Sequence, residues 1–299
     1  MTRSTVGVVV VAHNTRDDVL ACLASIPAEL HETTVVVDNA SSDATATAVR
    51  TRFPSVQVLE LANAGFGRGA NAGVRVLDTE YAMVANADVR FGEGVFSRLA
   101  AELRDRGDVG AVGPMVRSLD GVPQASARRI PTIGQIVGHA LVGRISPGNK
   151  WSAGYRGDDL DPTASRDAEW LSGCAIMLRR DAFDAVQGFD PGYFLYAEDV
   201  DLGVRLRSAG WRLRYVSDVD ICHLQGASTS RRPLRAMIEH AKSLDRYHRR
   251  HRRSLTGRIA SPFVKVGLVI WVAIGWIGRL RRRIVMLRAA RRTSTNLAP

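Results

Sequence analysis

The sequence has few cysteines and no pattern of them that binds metal. Its 299 residues include Cys22, Cys174 and Cys222, an odd number with no Cys-x-x-Cys pair. A cysteine zinc site is therefore excluded, and a reduced cytosolic setting fits best. The chain also lacks an internal repeat. It has no Gly-x-Gly-x-x-Gly sequence after its first predicted strand, so a dinucleotide-binding fingerprint is not met.

The two long apolar runs in the sequence are shorter than a membrane-spanning helix. Residues 6–12 are apolar, but polar His13 and Asn14 follow without a small-residue cleavage pattern, so a buried strand fits better than a signal peptide. Residues 262–278 are apolar except for Lys265, whereas a spanning helix needs about 20 apolar residues. Arginine clusters flank this segment, which favours a helix lying on an anionic membrane surface. Packing in a homodimer interface is the alternative.

The positive charge is concentrated at the end of the chain. The formal net charge is +11, and residues 228–299 hold 18 Lys and Arg against two acidic residues. The remaining residues hold 23 basic and 28 acidic side chains. The pI near 10.4 is therefore a property of the tail, and we expect no nucleic-acid partner because no recognition module accompanies it. We predict a domain at residues 1–227 and a basic helical extension at 228–299.

Apolar runs alternate with helical patterns along most of the chain. This alternation predicts an α/β fold with a mixed, mostly parallel sheet flanked by helices. Ligands of such sheets bind beyond the carboxyl ends of the strands. Residues 114–168 are irregular, and we expect them to shape the choice of ligand. Strands are predicted at 6–12, 34–37, 56–61, 81–85, 109–112, 169–180, 212–216 and 219–222, and helices at 17–26, 42–53, 69–77, 94–106 and 236–253.

Polar residues follow several of the predicted strands, at the edge of the sheet formed by their carboxyl ends. Asp38 can accept a hydrogen bond from a nucleobase N–H, although an Asx-turn explains it as well. The first and third side chains of Asn86-Ala87-Asp88 lie on one side of an extended segment. Two such oxygens can hold a divalent cation on a diphosphate, whereas a simple turn is the alternative. His223 is either a further metal ligand or a structural histidine.

A glycine-rich segment, residues 63–73, leads into the third predicted helix. Gly65, Gly67 and Gly69 let backbone amides approach a phosphate, and a helix N-terminus favours anions. The alternative is a flexible connection between a strand and a helix.

Three carboxylates fall within four residues where a helical pattern begins. Apolar residues recur at helical spacing from Leu195 onward and predict a helix. Glu198, Asp199 and Asp201 lie in its first turn. The helix dipole favours negative charge in a first turn, and an ionised carboxylate beside a cavity is a ready general base. The alternative is an acidic first turn with an ion pair from Asp201 to Arg205.

Together these motifs resemble the inverting GT-A glycosyltransferases of family 2, most closely the rhamnosyltransferase-like bacterial members. The resemblance covers residues 5–225 and rests on the number, order and spacing of the motifs. These are residues 8–14, 38–43, 63–73, 86–88, 170–173 and 188–201.

The resemblance implies a role for each matching residue. Asp199 is the expected catalytic base, with Glu198 as its catalytic neighbour. Asp88 is the expected ligand of Mg²⁺ or Mn²⁺, with His223 completing the site, and Asn86 replaces the first acid of the D-x-D motif. The nucleotide sugar is expected to contact Ala12, His13, Asn14, Asp38, Asn39, Gly67, Arg68, Asn71, Asn86 and Ala87, and the sugar or acceptor to contact Trp170, Gly173, Tyr196 and Trp211.

The implied reaction is transfer of a sugar with inversion of its anomeric centre. dTDP-rhamnose is the favoured donor, with galactofuranose, glucose or another hexose left open. The acceptor is a polyprenyl-linked or polysaccharide hydroxyl in cell-envelope assembly, at the cytoplasmic face of the plasma membrane. A second hypothesis is a catalytically weak sugar-nucleotide-binding scaffold at the membrane, which Asn86 in place of Asp supports.

Overall fold

The computed structural model describes residues 4–130, 142, 146, 148–157, 160–224 and 233–251. Contacts divide the chain into two compact units: Met1–Phe194 with Glu198–Ser230, and Leu195–Ala197 with Arg231–Pro299. The predicted boundary at residue 227 stays a prediction. The apolar segment 262–278 lies outside the described residues. Among the helices that are described, none combines the length and apolarity needed to cross a membrane.

The first unit is an α/β domain, and the second contributes one long described helix. The helices are α1 Arg16–Ala24, a 3₁₀ turn Ala28–Thr33, α2 Thr45–Arg52, α3 Phe66–Val76, α4 Val95–Asp105, α5 Lys150–Arg156, α6 Arg180–Ala185, α7 Glu198–Ser208 and, in the second unit, α8 Pro233–His251. The strands are β1 Ser4–Ala12, β2 Thr34–Asn39, β3 Gln57–Leu61, β4 Thr79–Asn86, β5 Val89–Phe91, β6 Val109–Arg117, β7 Pro123–Gln124, β8 Ala127–Arg128, β9 Arg166–Ala168, β10 Trp170–Leu171, β11 Ala175–Arg179 and β12 Arg212–His223.

The main sheet has the strand order β3-β2-β1-β4-β11-β6-β12-β5, with β7 on β6 and β9 on β12. β1 runs parallel to β2 and β4, β2 to β3, and β6 to β12. β11 lies antiparallel between β4 and β6. The predicted mixed, mostly parallel sheet is therefore confirmed.

Two predicted strand boundaries were wrong. The pattern at 169–180 is two strands, because residues 172–174 turn the chain from β10, which pairs with β8, to β11 in the main sheet. The two strands predicted at 212–216 and 219–222 are the single strand β12. The register of β12 with β6 shifts between Val216 and Asp220. The residues between these two positions are partly or fully exposed, so in the sequence they resemble the end of a strand.

The apolar run of β1 packs on both sides of the sheet. Val8 and Val10 face a core layer that includes Val19 of α1 and Leu99 of α4. Val9 belongs to the opposite layer with residues of α3, α6 and α7. Alternate side chains of one strand thus enter two cores, as a continuous apolar run predicts.

The second unit joins α8 to the short segment Leu195–Ala197. Ser243 Oγ of α8 donates to the Leu195 carbonyl oxygen at 2.8 Å, and the Tyr196 ring lies 4.7 Å from the His240 ring, centroid to centroid. Tyr196 and Ala197 have φ of 69° and 63°, a region that non-glycine residues seldom adopt. Leu195 therefore lies outside the helix predicted to contain it, and α7 begins at Glu198.

Candidate active site

The carboxyl ends of β1 and β2 lie side by side, as the sequence predicts. Ala12 is in register with Asp38. His13 Nδ1 donates to the Asn39 carbonyl oxygen at 2.8 Å, and Asn14 Oδ1 accepts from the Ser42 N–H at 2.7 Å. These bonds tie the two strand-end loops together, so the residues expected around the nucleotide form one continuous edge.

Asp38 and Asn39 are both buried at this edge. Asp38 is 3% exposed and its Oδ1 accepts from the Ser41 N–H at 2.9 Å. One carboxylate oxygen of Asp38 therefore stabilises the turn, as expected from the alternative that Asp38 forms an Asx-turn. Asn39 is 4% exposed and its Nδ2 donates to the Gly65 carbonyl oxygen at 3.4 Å. Asn39 thus supports the glycine-rich segment.

Gly67 and Asn71 of α3 hold the loop that precedes α7. A Cβ at Gly67 would lie 2.9 Å from the Phe189 Cβ. Asn71 exchanges two hydrogen bonds with the Phe189 backbone, at 2.8 and 2.9 Å. Both residues therefore pack against this loop, and their contact with the nucleotide sugar stays a prediction. Arg68 is exposed and donates to the Pro191 carbonyl oxygen at 2.9 Å.

Asn86, Asp88 and His223 meet, as the resemblance implies. His223 Nε2 lies 3.2 Å from Asp88 Oδ1 and 3.4 Å from Asn86 Nδ2. Pairing of β5 with β12, in which Val89 opposes His223, brings the two segments together.

The donor set of this cluster fits a hard cation. Across the described ranges, no group of three His, Cys, Asp or Glu side chains is placed to hold a metal, and the third member here is the amide of Asn86. The Asp88 carboxylate suits Mg²⁺ or Mn²⁺, which take remaining ligands from phosphates and water. The Asn86 amide would offer its oxygen only after rotating, because its Nδ2 faces His223.

Asp199 lies in the first turn of α7 and is held by two backbone donors. Its Oδ2 accepts from the Gly173 N–H at 3.0 Å and its Oδ1 from the Val200 N–H at 2.8 Å. Burial raises the pKa of Asp199, while these two N–H groups and the charge of Arg128 oppose the rise. The residue is still partly exposed, so a ligand hydroxyl can reach a carboxylate whose basicity is increased.

Glu198 is the buried neighbour of this carboxylate. It is 7% exposed, and among the described residues its Oε2 has no hydrogen-bond partner. Burial, followed by repulsion from Asp199, raises the pKa of Glu198 to about 8. The two backbone donors at Asp199 favour its ionised form, whereas burial favours the protonated form of Glu198.

A short turn connects Asp199 to the cluster of Asn86, Asp88 and His223. Gly173 donates to Asp199, and the carbonyl oxygen of the next residue, Cys174, accepts from the Asn86 N–H at 2.9 Å. Burial raises the pKa of the Cys174 thiol to about 11, and the charges of Asp199 and Asp88 add to this rise. Both acids therefore act on the same buried thiol from the two sides of one turn.

The third acid of the motif is structural. Asp201 is fully buried, and its Oδ2 accepts from Arg205 Nε at 2.6 Å. Arg205 also donates to the carbonyl oxygens of Val186 and Gly188 at 2.6 and 2.7 Å. The ion pair proposed as the alternative is thus present for Asp201, and it anchors the loop leading to Asp199.

The aromatic residues predicted to stack on a sugar are differently placed. The guanidinium carbon of Arg128 lies 5.2 Å from the centroid of the Trp170 ring, so one ring face is covered. Trp211 is partly buried and packs against the core. Tyr196 lies in the second unit, against His240. A sugar-binding role for these three rings stays a prediction.

Arg128 is the residue that sequence reasoning missed. Its charge acts on Asp199, although the two are far apart in the chain. β8 pairs with β10 so that Arg128 opposes Trp170, and β10 leads into the turn at Gly173. The only signal was an adjacent arginine pair, Arg128 and Arg129, in an irregular segment.

Solved structures share this fold, which is that of the GT-A glycosyltransferases. The mannosyltransferase PcManGT from Pyrobaculum calidifontis, solved with GDP-Man and Mn²⁺, matches with a TM-score of 0.58 and 18% identity, covering 99% of this chain and 84% of its own. TarS 1–349 from S. aureus matches with a TM-score of 0.52 and 16% identity, covering 90% and 80%. These identities support the fold alone.

The sequence comparisons show the family. The chain belongs to glycosyltransferase like family 2, which matches residues 3–257. It is 36% identical over 231 residues to the N-acetylglucosaminyl-diphospho-decaprenol L-rhamnosyltransferase of Mycobacterium tuberculosis, covering 73% of this chain and 75% of the relative. It is 39% identical over 84 residues to the rhamnosyltransferase WbbL of Escherichia coli, covering 28% and 32%. The protein is a rhamnosyltransferase-like glycosyltransferase.

Proposed function

We propose that this enzyme transfers L-rhamnose from dTDP-rhamnose to a hydroxyl of an N-acetylglucosaminyl-diphospho-polyprenol, with inversion at the anomeric carbon. The observation that carries the proposal is the position of Asp199, one short turn from the cluster of Asn86, Asp88 and His223. The activity in the name of the M. tuberculosis relative supports the choice of sugar and acceptor.

Asp199 is the proposed general base. The acceptor hydroxyl attacks the anomeric carbon from the face opposite the diphosphate and gives its proton to Asp199 as the bond forms. The N–H groups of Gly173 and Val200 fix the direction of the carboxylate. Protonated Glu198 keeps a second negative charge away from the base. One displacement of this kind inverts the anomeric centre.

The donor is proposed to bind along the edge formed by β1, β2 and β4. The loops at Asn14 and Asp38 border the base and ribose. Asp88 and His223, with the Asn86 amide, would hold Mg²⁺ or Mn²⁺, which neutralises charge on the leaving diphosphate when bound. The predicted membrane-surface segment at 262–278 supports a reaction at the cytoplasmic face of the plasma membrane.

The test is transfer of radioactive rhamnose from dTDP-rhamnose into an extractable N-acetylglucosaminyl-diphospho lipid. We expect Asp199→Asn to lower turnover by about 10²–10⁴-fold, the range for loss of a general base. Thermal stabilisation by dTDP-rhamnose should persist in that variant. Asp105→Asn, an exposed carboxylate of α4, is the matched control and should transfer normally.

Three results would change the proposal. Turnover retained by Asp199→Asn would remove Asp199 as the base. Stabilisation and transfer with UDP-sugars would keep the mechanism and discard rhamnose. Donor binding without transfer to any lipid acceptor would favour the scaffold hypothesis that Asn86 suggested.

A further inference from the structure

An arginine-rich cavity lies on the first unit. Its volume is about 450 Å³, and it is walled by β8, β9, the end of α7 and the start of β12. None of the residues expected around the nucleotide lines it. Five basic and two acidic side chains line it: Arg128, Arg129, Arg166, Arg207 and Arg212, with Asp167 and Glu169.

The fold already uses part of this charge. Arg212 binds both oxygens of Asp167, at 2.8 and 2.9 Å. Arg166 donates to three backbone carbonyl oxygens. Arg207, by contrast, is 43% exposed and approaches Glu169 only to 4.0 Å. Because Asp167 is neutralised by Arg212, the charge left facing the cavity is positive.

Two elements connect this cavity to the catalytic base. Arg207 follows Asp199 by eight residues on α7, which is about 12 Å at the rise of an α-helix. Glu169 on the cavity wall precedes β10, which leads into the turn at Gly173, and Gly173 donates to Asp199. Arg128 lines the cavity and also acts electrostatically on Asp199.

We propose that this cavity binds the diphosphate of the lipid-linked acceptor, with Arg128, Arg129 and Arg207 as its ligands. The inference rests on the proposed function, because it assumes an acceptor whose sugar is joined to a diphosphate. The reacting hydroxyl and the diphosphate lie at different ends of that sugar, so the base and the anion site must lie apart. The long arginine side chains can span the part of the distance that one sugar ring does not. Arginine suits this role because its guanidinium donates two parallel hydrogen bonds to phosphate.

The arrangement gives each of the two diphosphates in the reaction its own site. The donor diphosphate is assigned to the side of Asp88 and His223, and the acceptor diphosphate to the arginine cavity. Asp199 lies between these assignments along the chain path that runs from Asn86 through Gly173 to α7. A sugar acceptor anchored in the cavity would present its hydroxyl toward the base.

The test compares two acceptors in the full-length enzyme. One is an N-acetylglucosaminyl-diphospho lipid, and the other is an uncharged alkyl glycoside of N-acetylglucosamine. We expect the double variant Arg129→Gln/Arg207→Gln to raise KM for the diphospho acceptor at least about tenfold, as loss of one or more charge-assisted hydrogen bonds predicts. The alkyl glycoside offers the arginines no anion, so the variant should use it as poorly as the wild type does. Arg104→Gln, an exposed arginine of α4, is the charge-matched control.

An equal loss with both acceptors would overturn the inference, because the arginines would then act through the fold or the base. An unchanged KM for the diphospho acceptor would overturn it as well. If the wild type transfers no rhamnose at all, the proposed function fails separately, and calorimetry with inorganic pyrophosphate in EDTA still decides the cavity. Binding that the double variant loses and Arg104→Gln keeps supports the site, and equal or absent binding in all three proteins refutes it.

Discussion

Replacing Glu198 with glutamine should stabilise the protein increasingly as the pH rises. The folded protein holds the Glu198 proton up to a pKa of about 8, whereas the ordinary pKa of this carboxyl is 4.5. Between these values the folded state binds one more proton than the unfolded state, so this group's contribution to stability falls as pH increases. Glutamine has the shape of the protonated acid and does not titrate, so Glu198→Gln removes this dependence.

The magnitude follows from the two pKa values. Each pH unit between them changes the free energy of unfolding by about 1.4 kcal/mol. From pH 5 to pH 7 the advantage of Glu198→Gln over wild type should therefore grow by about 3 kcal/mol. Above pH 8 it should level off, because Glu198 is then ionised in both states.

The assay is urea unfolding of wild type and Glu198→Gln at several pH values between 5 and 9. Glu29→Gln, an exposed carboxyl of the 3₁₀ turn, is the control and should track wild type throughout. A difference between Glu198→Gln and wild type that does not vary with pH would refute the reasoning. It would mean that Glu198 is already ionised in the folded protein and that burial does not hold its proton.

Three further variants test the parts of the site separately. Arg205→Met should destabilise the fold by about 3–5 kcal/mol in urea unfolding, because it removes the guanidinium that neutralises the buried Asp201 carboxylate. Gly173→Ala should lower kcat more than it raises the donor KM. The new Cβ would lie 3.3 Å from the Cβ of Asp199 and displace that carboxylate. Equal changes in kcat and KM would contradict this. His223→Ala should raise the Mg²⁺ concentration needed for half-maximal transfer by about tenfold or more, as metal titration would show.

The strands and strand-end residues were predictable because they depend on local pattern. The apolar run of β1 enters two cores, and a continuous run is the sequence signature of such a strand. Ala12 and Asp38 meet because the carboxyl ends of parallel neighbours share one edge. The acidic first turn of α7 follows from the helical spacing of its apolar residues. Each of these inferences needs only a short window of sequence.

The remaining features depend on contacts between distant segments. Tyr196 and Ala197 adopt left-handed backbone conformations without being glycine, so the apolar spacing wrongly predicted that the helix begins at Leu195. Gly67 and Asn71 hold a loop more than 100 residues away, and no local pattern separates that role from a phosphate contact. Arg128 reaches Asp199 only because β8 pairs with β10.

The turn at residues 172–174 constrains how this enzyme can diversify. The Gly173 N–H binds the carboxylate proposed as the base, and the Cys174 carbonyl oxygen binds the end of β4, so a change in the turn should disturb both positions together. We expect natural variants with new acceptors to leave this turn intact. Their differences should accumulate instead along β8 and β9, whose side chains line the arginine-rich cavity.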